Sequence, residues 1–401
     1  MSKRVFIVAA ARSPIGSFLG SLKDVHASDL GSQVLKKMLD GLNLPLEAIS
    51  EVIVGNILSA GLGQGIARQI SIKAGIPASV PAYSLNMLCG SGMKSVLNAF
   101  VGIQAGFSSI VVAGGVESMS RAPYLVSSRI RDGVKMSDFA LTDHMIGDAL
   151  TDAFGNMHMG VTAENIATRY HISREEQDKF AISSQEKAIA SVDAGRFDDE
   201  IIPISIKTRK ETISFNRDEY PNRVTSIEKL AKLRAAFVTD GTVTAGNSSG
   251  INDSASFTIL ASEEMVNKYH LPVLCEVIGV GQGGVDPEYM GMGPVPAIRH
   301  SLENAHKELS DIELIELNEA FAAQSIGVVK ELSLEHKVQE SNIYAITNVN
   351  GGAIALGHPV GASGNRIIVS LIHEMMKRDL HTGLASLCIG GGMGTAIVIK
   401  R

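Results

Sequence analysis

The first 120 residues alternate short apolar runs with longer amphipathic segments. The runs RVFIVAAA, EVIVGNI and SIVVAGG are rich in valine and isoleucine, which is typical of buried strands. Between them, ASDLGSQVLKKMLDGL and GSGMKSVLNAFVGIQAG space their apolar residues as one face of a helix does. This order of strand, helix and strand predicts an α/β fold built from βαβ units.

The same order returns near the end of the chain. In the first half, a cysteine loop, a GSG turn, a helix and SIVVAGGVESMS follow one another. In the last part, a histidine loop, an ASG turn, a helix and LASLCIGGGMG do so. A repeated order of several distinct features indicates two duplicated half-domains.

Between the repeats, from about Arg121 to Gly250, charged helical segments and scattered methionines replace the strand pattern. This stretch keeps amphipathic periodicity, so we interpret it as an inserted subdomain and not as a linker. The predicted organisation is an N-terminal half-domain (1–120, completed by about 250–272), a loop domain over the ligand site (121–249) and a C-terminal half-domain (273–401).

Composition narrows the class of function. The 401 residues are 45% hydrophobic and carry a net charge of −6, which excludes nucleic acid and anionic membranes as expected partners. The three cysteines lack a CxxC spacing, so neither a disulfide framework nor a zinc site is predicted, and a reducing, cytoplasmic compartment is indicated. The apolar run near the N-terminus predicts a strand rather than a signal peptide.

One glycine pattern imitates a dinucleotide site. GVGQGG at 279–284 satisfies GxGxxG and follows a strand-like run. A phosphate-binding helix should follow directly, but Pro287, Pro294 and Pro296 argue against a long helix there. We therefore predict a turn or bulge and no dinucleotide.

The cysteines differ in their surroundings. Cys89 directly precedes GSGMKSVLNAF, where free N–H groups and the dipole at a helix start favour a thiolate nucleophile. A small buried apolar cysteine is the alternative interpretation. Cys388 ends an apolar run before GGGMG, and Cys275 lies in a similar run, so each taken alone is best interpreted as a core residue.

Two polar residues stand at junctions that favour chemistry. His358 lies between Gly357 and Pro359, and the proline restricts it to extended conformations, so its ring has a defined direction suited to an acid or base. Asn318, in ELIELNEAFAAQ, lies where a strand-like run meets a helix. It either caps that helix or holds a water or an oxyanion, and the residues alone leave both alternatives open.

The motifs NMLCGSGMKS, GGVESMS, NEAFAAQ, GHPVGASG and CIGGGMG occur in this order and together resemble the thiolase family. The resemblance covers essentially the whole chain. It implies a layered αβαβα arrangement of two half-domains with an inserted loop domain, in a homo-oligomer that is a dimer or a tetramer. It also implies an acyltransferase without metal or redox cofactor, which condenses two acetyl-CoA to acetoacetyl-CoA and CoA, or runs in reverse, by a ping-pong route through a cysteine acyl-enzyme.

The same resemblance implies roles for individual residues. Cys89 would take the acyl group and His358 would be the base that activates it. Cys388 would remove or return the proton on the α-carbon of the second thioester. Asn318 would hold a water that forms one oxyanion hole with His358, and the N–H groups of Cys89 and Gly390 would form another.

Substrate contacts are implied by the resemblance as well. The pair His158–Met159 is similar to the acetoacetyl-CoA branch, in which it narrows the acyl pocket, and Met290 would crowd the acyl chain too. Arg223 stands one place from the basic residue of close relatives and would contact the CoA nucleotide. The other implied contacts to substrate or CoA are Leu150, Phe237, Ala245, Ser249, Ala320 and Phe321.

Three alternatives stay open at this point. A broader 3-ketoacyl-CoA thiolase would use the same residues with a roomier pocket. A decarboxylating ketoacyl synthase shares the ancestry, but it normally replaces the second cysteine with histidine, and Cys388 argues against it. A non-catalytic acyl-binding or lipid-binding relative would need neither a nucleophile nor a base.

Overall fold

The computed structural model describes residues 3–136 and 138–401, so Met1, Ser2 and, in the predicted loop domain, Ser137 lie outside the described residues. Within this range the strands are β1 (Val5–Arg12), β2 (Gly16–Ser17), β3 (Glu51–Gly55), β4 (Ala82–Leu85), β5 (Ile110–Ser118), β6 (Tyr124–Val126), β7 (Leu141–Asp143), β8 (Ile204–Lys207), β9 (Thr212–Phe215), β10 (Asn252–Ser262), β11 (Cys275–Gly284), β12 (Leu314–Leu317), β13 (Thr382–Ile389) and β14 (Met393–Lys400). The helices are α1 (Ala27–Asp40), α2 (Ile66–Lys73), α3 (Ser91–Gln104), α4 (Met159–Arg169), α5 (Arg174–Asp193), α6 (Ile227–Leu230), α7 (Glu263–Tyr269), α8 (Pro294–Ala305), α9 (Ala322–His336), α10 (Glu340–Ile346), α11 (Ala353–Leu356) and α12 (Val360–Arg378).

The long strands form one mixed sheet in the order β12-β13-β14-β11-β1-β10-β5-β3-β4, with β2 paired to β10. Pairs β3/β4, β3/β5 and β12/β13 are parallel, and the pairs in the middle of the order are antiparallel. The junction between the halves is short, since β1 and β11 pair only through Phe6↔Glu276 and Ile7↔Cys275. The strands predicted in both repeats are therefore confirmed.

Alternation along the strands divides the side chains between two faces, as the period of two requires. In β10, Phe257 packs against α1 and α2, whereas Leu260 faces the centre of the molecule. In β14, Val398 packs with α8 and α9, whereas Ile397 faces the centre. Helices α3 and α12 fill that centre between the two halves of the sheet. The layers are thus α, β, α, β and α, as the sequence predicts.

The two central helices approach each other through glycine. A Cβ at Gly92, in the GSG turn, would lie 2.9 Å from the Gly361 carbonyl oxygen, and one at Gly364, in the ASG turn, would lie 2.6 Å from the Met93 nitrogen. Any side chain at either position would push the helices apart. Because α3 follows Cys89 and α12 follows His358, this contact brings the starts of the two repeated motifs together.

The segment between β5 and β10 contains the hairpin β6/β7, helices α4 to α6 and the hairpin β8/β9. A buried ion cluster attaches it to the sheet, because Arg12 of β1 donates to Asp218 at 2.7 and 2.9 Å and to Glu200 at 2.6 Å. None of the helices in the described part of the chain has the length and hydrophobicity needed to span a bilayer.

The GVGQGG segment departs in part from its prediction. It belongs to strand β11, and only the irregularity between Val277 and Gly279 agrees with the predicted bulge. Helix α8 does follow, beginning at Pro294, because proline fits the first turn of a helix, where its missing N–H is not needed. A Cβ at Gly281 would lie 2.1 Å from the Ala297 carbonyl oxygen, so the glycine serves helix packing.

Candidate active site

Cys89 lies in the loop between β4 and α3 and is half-buried. The backbone N–H groups of Gly390 and of Cys89 itself lie near its sulfur. Gly390 directly follows β13 and lines the same cavity as Cys89, so the loops that contain the first and the last of the predicted motifs meet here.

His358 is buried immediately before α12. Its backbone N–H donates to Asn252 Oδ1 at 2.9 Å, and its ring Nδ1 lies 2.6 Å from the hydroxyl of Ser363. Gly357, with φ of 105°, adopts a backbone conformation that other residues avoid, and a Cβ there would lie 2.4 Å from Asn252. The conformation of this loop is therefore held on both sides of the histidine.

Cys388 is buried near the end of β13. Asn318 directly follows the neighbouring strand β12, and its backbone N–H donates to the Ser386 carbonyl at 3.0 Å. Helix α9 begins later, after Phe321, so the alternative that Asn318 caps it is wrong. Both side-chain polar atoms of Asn318 are buried without a hydrogen-bond partner among the described residues.

These loops surround a mainly apolar cavity of about 410 Å³. All of the predicted site residues except Asn318 and Arg223 line it, so Cys89, His358 and Cys388 face one space. A π-helix at Ile146–Leu150 contributes one wall, which agrees with the frequent presence of such irregular turns at functional sites. The assigned roles of these residues stay predictions.

The protonation states differ from the sequence prediction. Burial raises the pKa of Cys89 to about 11, although the two N–H groups lower it, and the carboxyl group of Glu117 raises it further. The prediction of a stabilised thiolate is therefore wrong, because desolvation outweighs the hydrogen bonds at the helix start. Burial likewise raises the pKa of Cys388, with the neighbouring Cys89 adding to the effect.

Burial lowers the pKa of His358 to about 3, and the charge of Arg366 lowers it further. Near neutral pH the site thus contains neutral thiols beside a neutral imidazole. A neutral imidazole has a free lone pair, so it can accept a proton while a thiol attacks.

The end of the cavity around Cys388 is walled by large side chains. Met159 and Met290 are buried there in one cluster with Cys388, Ala320 and Phe321. The ring of His158 stacks on Phe237 with 4.7 Å between ring centroids, and burial lowers the pKa of His158. His158 also caps α4, since its Nδ1 accepts from the Gly160 N–H at 3.1 Å.

Arg223 lies in a second groove of about 670 Å³, which shares Tyr220 and Ala245 with the apolar cavity. It forms a two-bond ion pair with Asp193 at 2.7 and 2.9 Å, and its side chain is 49% exposed. Lys229 lines the same groove. The cationic residues thus lie outside the apolar cavity but next to its wall.

Sequence reasoning missed several functional positions. Glu117, in the GGVESMS motif, is buried and accepts four hydrogen bonds, from the side chain of Asn56 and from the backbone of Ile57, Leu58 and Gly361. Burial raises its pKa to about 7. Further cavity-lining residues that were not predicted are Phe18, Met119, Ile146, Ala149, Tyr220, Ala236, Ser248, Gly250, Ile251 and Val360. Most are apolar residues without a local signal, whereas the motif around Glu117 could have indicated that position.

The family of the chain follows from comparison with known proteins. The family model "Thiolase, N-terminal domain" matches residues 5–264, and "Thiolase, C-terminal domain" matches residues 271–401. The chain therefore belongs to the thiolase family. An acetyl-CoA acetyltransferase of Pseudomonas aeruginosa is 49% identical over 398 residues, which are 99% of each chain. A probable acetyl-CoA acyltransferase of Staphylococcus aureus is 48% identical over 399 residues, again 99% of each chain.

Solved structures agree with this fold. The Bacillus anthracis acetyl-CoA acetyltransferase is similar with a TM-score of 0.95 and 42% identity, covering 100% of this chain and 99% of the other. A human mitochondrial 3-ketoacyl-CoA thiolase in complex with CoA is similar with a TM-score of 0.92 and 42% identity, covering 100% and 98%. The predicted thiolase fold is thus confirmed.

Proposed function

We propose that the protein is an acetyl-CoA C-acetyltransferase, which joins two acetyl-CoA into acetoacetyl-CoA and CoA and also catalyses the reverse thiolysis. The observation that carries this proposal is the arrangement of two cysteines and a histidine around one apolar cavity. A binding module needs no such set, whereas acyl transfer between thiols requires a nucleophile and a base. Full-length relatives with this name, at 48 to 49% identity, support it.

The first half-reaction loads the enzyme. His358 accepts the proton of the Cys89 thiol as the sulfur attacks the carbonyl carbon of acetyl-CoA, and the C–S bond to CoA then breaks. CoA leaves with the proton, and the acetyl group remains on Cys89 as a thioester. The N–H groups of Cys89 and Gly390, which lie near the sulfur, are the proposed donors to the carbonyl oxygen during attack.

The second half-reaction forms the carbon–carbon bond. Cys388 first gives its own proton to His358 and then, as the thiolate, removes a proton from the methyl carbon of a second acetyl-CoA. The resulting carbanion attacks the thioester on Cys89, the bond between carbon and Sγ of Cys89 breaks, the Cys89 sulfur takes the proton back from His358, and acetoacetyl-CoA forms. The unpartnered amide of Asn318 supports its proposed role in holding a water beside His358, where the enolate oxygen needs a donor. No metal or redox group takes part in these steps, so we propose that none is required.

The apolar cavity and the neighbouring groove that contains Arg223 suit the two ends of a CoA thioester. The acyl thioester enters the apolar cavity, and the nucleotide, with its phosphates, enters the groove that contains Arg223 and Lys229. The complex of the human relative with CoA supports a CoA ester as substrate. The proposed location is the cytoplasm, and the proposed assembly is a homodimer or homotetramer.

A broader 3-ketoacyl-CoA thiolase is the second candidate, because a human mitochondrial 3-ketoacyl-CoA thiolase is similar with a TM-score of 0.94 and 43% identity. CoA-dependent thiolysis by the purified protein discriminates them, with acetoacetyl-CoA compared against a long-chain 3-ketoacyl-CoA. A strong preference for acetoacetyl-CoA supports the proposal. Equal or faster cleavage of the long chain favours the second candidate, and no cleavage of either favours a binding protein.

The cysteine roles are tested separately by intact-protein mass spectrometry after addition of acetyl-CoA. Cys89→Ala should carry no acetyl adduct. Cys388→Ala should still be acetylated at Cys89 but should lose ~10²- to 10⁴-fold in carbon–carbon bond formation, the usual contribution of a general acid or base. Cys275→Ala is the matched control, because Cys275 is buried in β11 outside the cavity. An adduct on Cys89→Ala equal to that of the wild type contradicts the assignment.

A further inference from the structure

We propose that Ser363 sets the tautomer of His358, so that Nε2 is the nitrogen that takes the proton of the nucleophile. This inference rests on the proposed function and adds to it a positioning residue. Ser363 lies in the first turns of α12 and is completely buried. Its Oγ lies 2.6 Å from Nδ1 of His358 and 3.0 Å from the carbonyl oxygen of Pro359.

The direction of these two bonds follows from counting protons. A serine hydroxyl has one proton and two lone pairs. The carbonyl oxygen of Pro359, which also accepts the backbone N–H groups of Ala362 and Ser363 at 2.9 Å, can only accept, so this contact with residue i−4, of a kind that helix serines commonly make, uses the proton of the Ser363 hydroxyl. The lone pairs of the same oxygen are left for His358, and the bond to Nδ1 then requires that Nδ1 bears the hydrogen.

A neutral imidazole bears one proton, so a hydrogen on Nδ1 leaves the lone pair on Nε2. His358 lines the cavity with Cys89, and within residues 3–136 and 138–401 Nε2 has no hydrogen-bond partner. The free lone pair of the base therefore lies on Nε2, the ring nitrogen that is left for the cavity that Cys89 also lines. The opposite tautomer would point an N–H at the thiol and could not accept its proton.

Ser363→Ala removes the acceptor for Nδ1–H, so both tautomers become populated and only a fraction of the enzyme is competent. We expect kcat for acetoacetyl-CoA thiolysis to fall by ~2- to 5-fold, in proportion to the competent tautomer, and so by far less than the ~10²- to 10⁴-fold that a general base supplies. KM should change little, because the serine does not line the cavity. Ser363→Thr keeps the hydroxyl and should restore most of kcat.

Ser370→Ala is the matched control. Ser370 is a buried serine of the same helix, but its hydroxyl bonds to Glu200 at 3.0 Å and not to the histidine. It should keep kcat. If Ser363→Ala does not fold, Ser363→Cys takes its place, since a thiol is a much weaker acceptor of similar size.

A direct readout is the ¹⁵N spectrum of histidine-labelled enzyme, with the His358 signals assigned by a His358→Asn variant. In the wild type, Nδ1 should have the shift of a protonated ring nitrogen and Nε2 that of an unprotonated one. Ser363→Ala should move both towards the average. A wild-type spectrum with the proton on Nε2, or full kcat in Ser363→Ala, overturns the inference.

The activity of the wild-type enzyme distinguishes a failure of the proposed function from a failure of the proposed role of Ser363. If wild-type enzyme does not cleave acetoacetyl-CoA, the proposed function fails. If the wild type is active and Ser363→Ala and Ser370→Ala lose activity equally, only the role of Ser363 fails.

Discussion

The side chain of Asn252 holds the backbone of His358, although the two residues are 106 positions apart. Its Oδ1 accepts the His358 N–H at 2.9 Å, and its Nδ2 donates to the Gly16 carbonyl at 3.0 Å. The amide thus connects the N-terminal half, through β10 and Gly16 of β2, to the histidine of the C-terminal half. A hydrogen bond across the two halves fixes where the base lies.

Asn252→Ala should therefore damage both stability and activity. It leaves the His358 N–H and the Gly16 carbonyl buried without partners, at ~1–3 kcal/mol each. We expect a lower free energy of unfolding in urea together with a lower kcat. Asn98→Ala, at a half-buried position on α3 far from His358 in the sequence, is the control and should change neither. An Asn252→Ala enzyme with wild-type kcat would contradict the link between this amide and the histidine.

The raised pKa of Cys89 makes its reaction with iodoacetamide strongly pH-dependent. Only the thiolate reacts, so the rate should climb through pH 8 and 9 towards a midpoint near 11. A free cysteine would level off above its midpoint of ~8.5. Peptide mapping after alkylation separates Cys89 from the buried cysteines. A Cys89 midpoint at or below that of free cysteine would mean that burial does not dominate.

Met290 should limit the length of the acyl chain. The side chain is buried against Cys388 in the cavity wall, so Met290→Ala opens space beyond the reacting carbons. Because one methylene is worth ~1–3 kcal/mol in such a pocket, the preference for acetoacetyl-CoA over a six-carbon 3-ketoacyl-CoA should fall by ~10-fold or more.

Met292→Ala is the control for this change, because Met292 is also buried but packs with α8 and α9 away from the cavity. Values of kcat/KM for the two substrates measure the effect. The same loss of preference in both variants would show that general loosening, and not pocket size, is responsible.

The buried arginine of β1 should be essential for stability. Arg12→Met would leave Glu200 and Asp218 buried without their cation, which costs ~3–5 kcal/mol when one partner of such a pair is removed. Arg4→Met is the comparison, since Arg4 pairs with Glu263 and Glu276 at the surface and should matter much less. Urea unfolding of both variants measures the difference, and equal losses would contradict the prediction.

Local sequence patterns were sufficient to predict the strands and helices and to recognise the motifs. The strand and helix predictions agree with β1, β3, β5, α1 and α3 in the first repeat and with α12 and β13 in the second, because hydrophobic period and helix starts are local properties. The candidates Cys89 and His358 were also found from their immediate neighbours, and Cys388 was found from the resemblance to the thiolase family. Their protonation states could not be predicted in this way, because the pKa of Cys89 depends on burial by segments far away in the chain.

The residues that orient His358 could not be identified from the sequence, for a similar reason. Asn252 and Ser363 are ordinary polar residues in the sequence, and only their contacts with His358 distinguish them. Likewise, Asn318 could be a helix cap or a free amide on sequence alone, and the observed start of α9 decided between these alternatives.

The sequence by itself determined the class of fold, because hydrophobic periodicity is a short-range property, and its motif order selected the candidate residues of the site. Only the tertiary structure decided that Cys89, His358 and Cys388 face one cavity, that their groups are neutral, and which side chains orient the histidine. Those properties arise where α3 and α12 meet through Gly92 and Gly364. Distance, burial and hydrogen-bond direction exist only after the two halves of the chain have packed together.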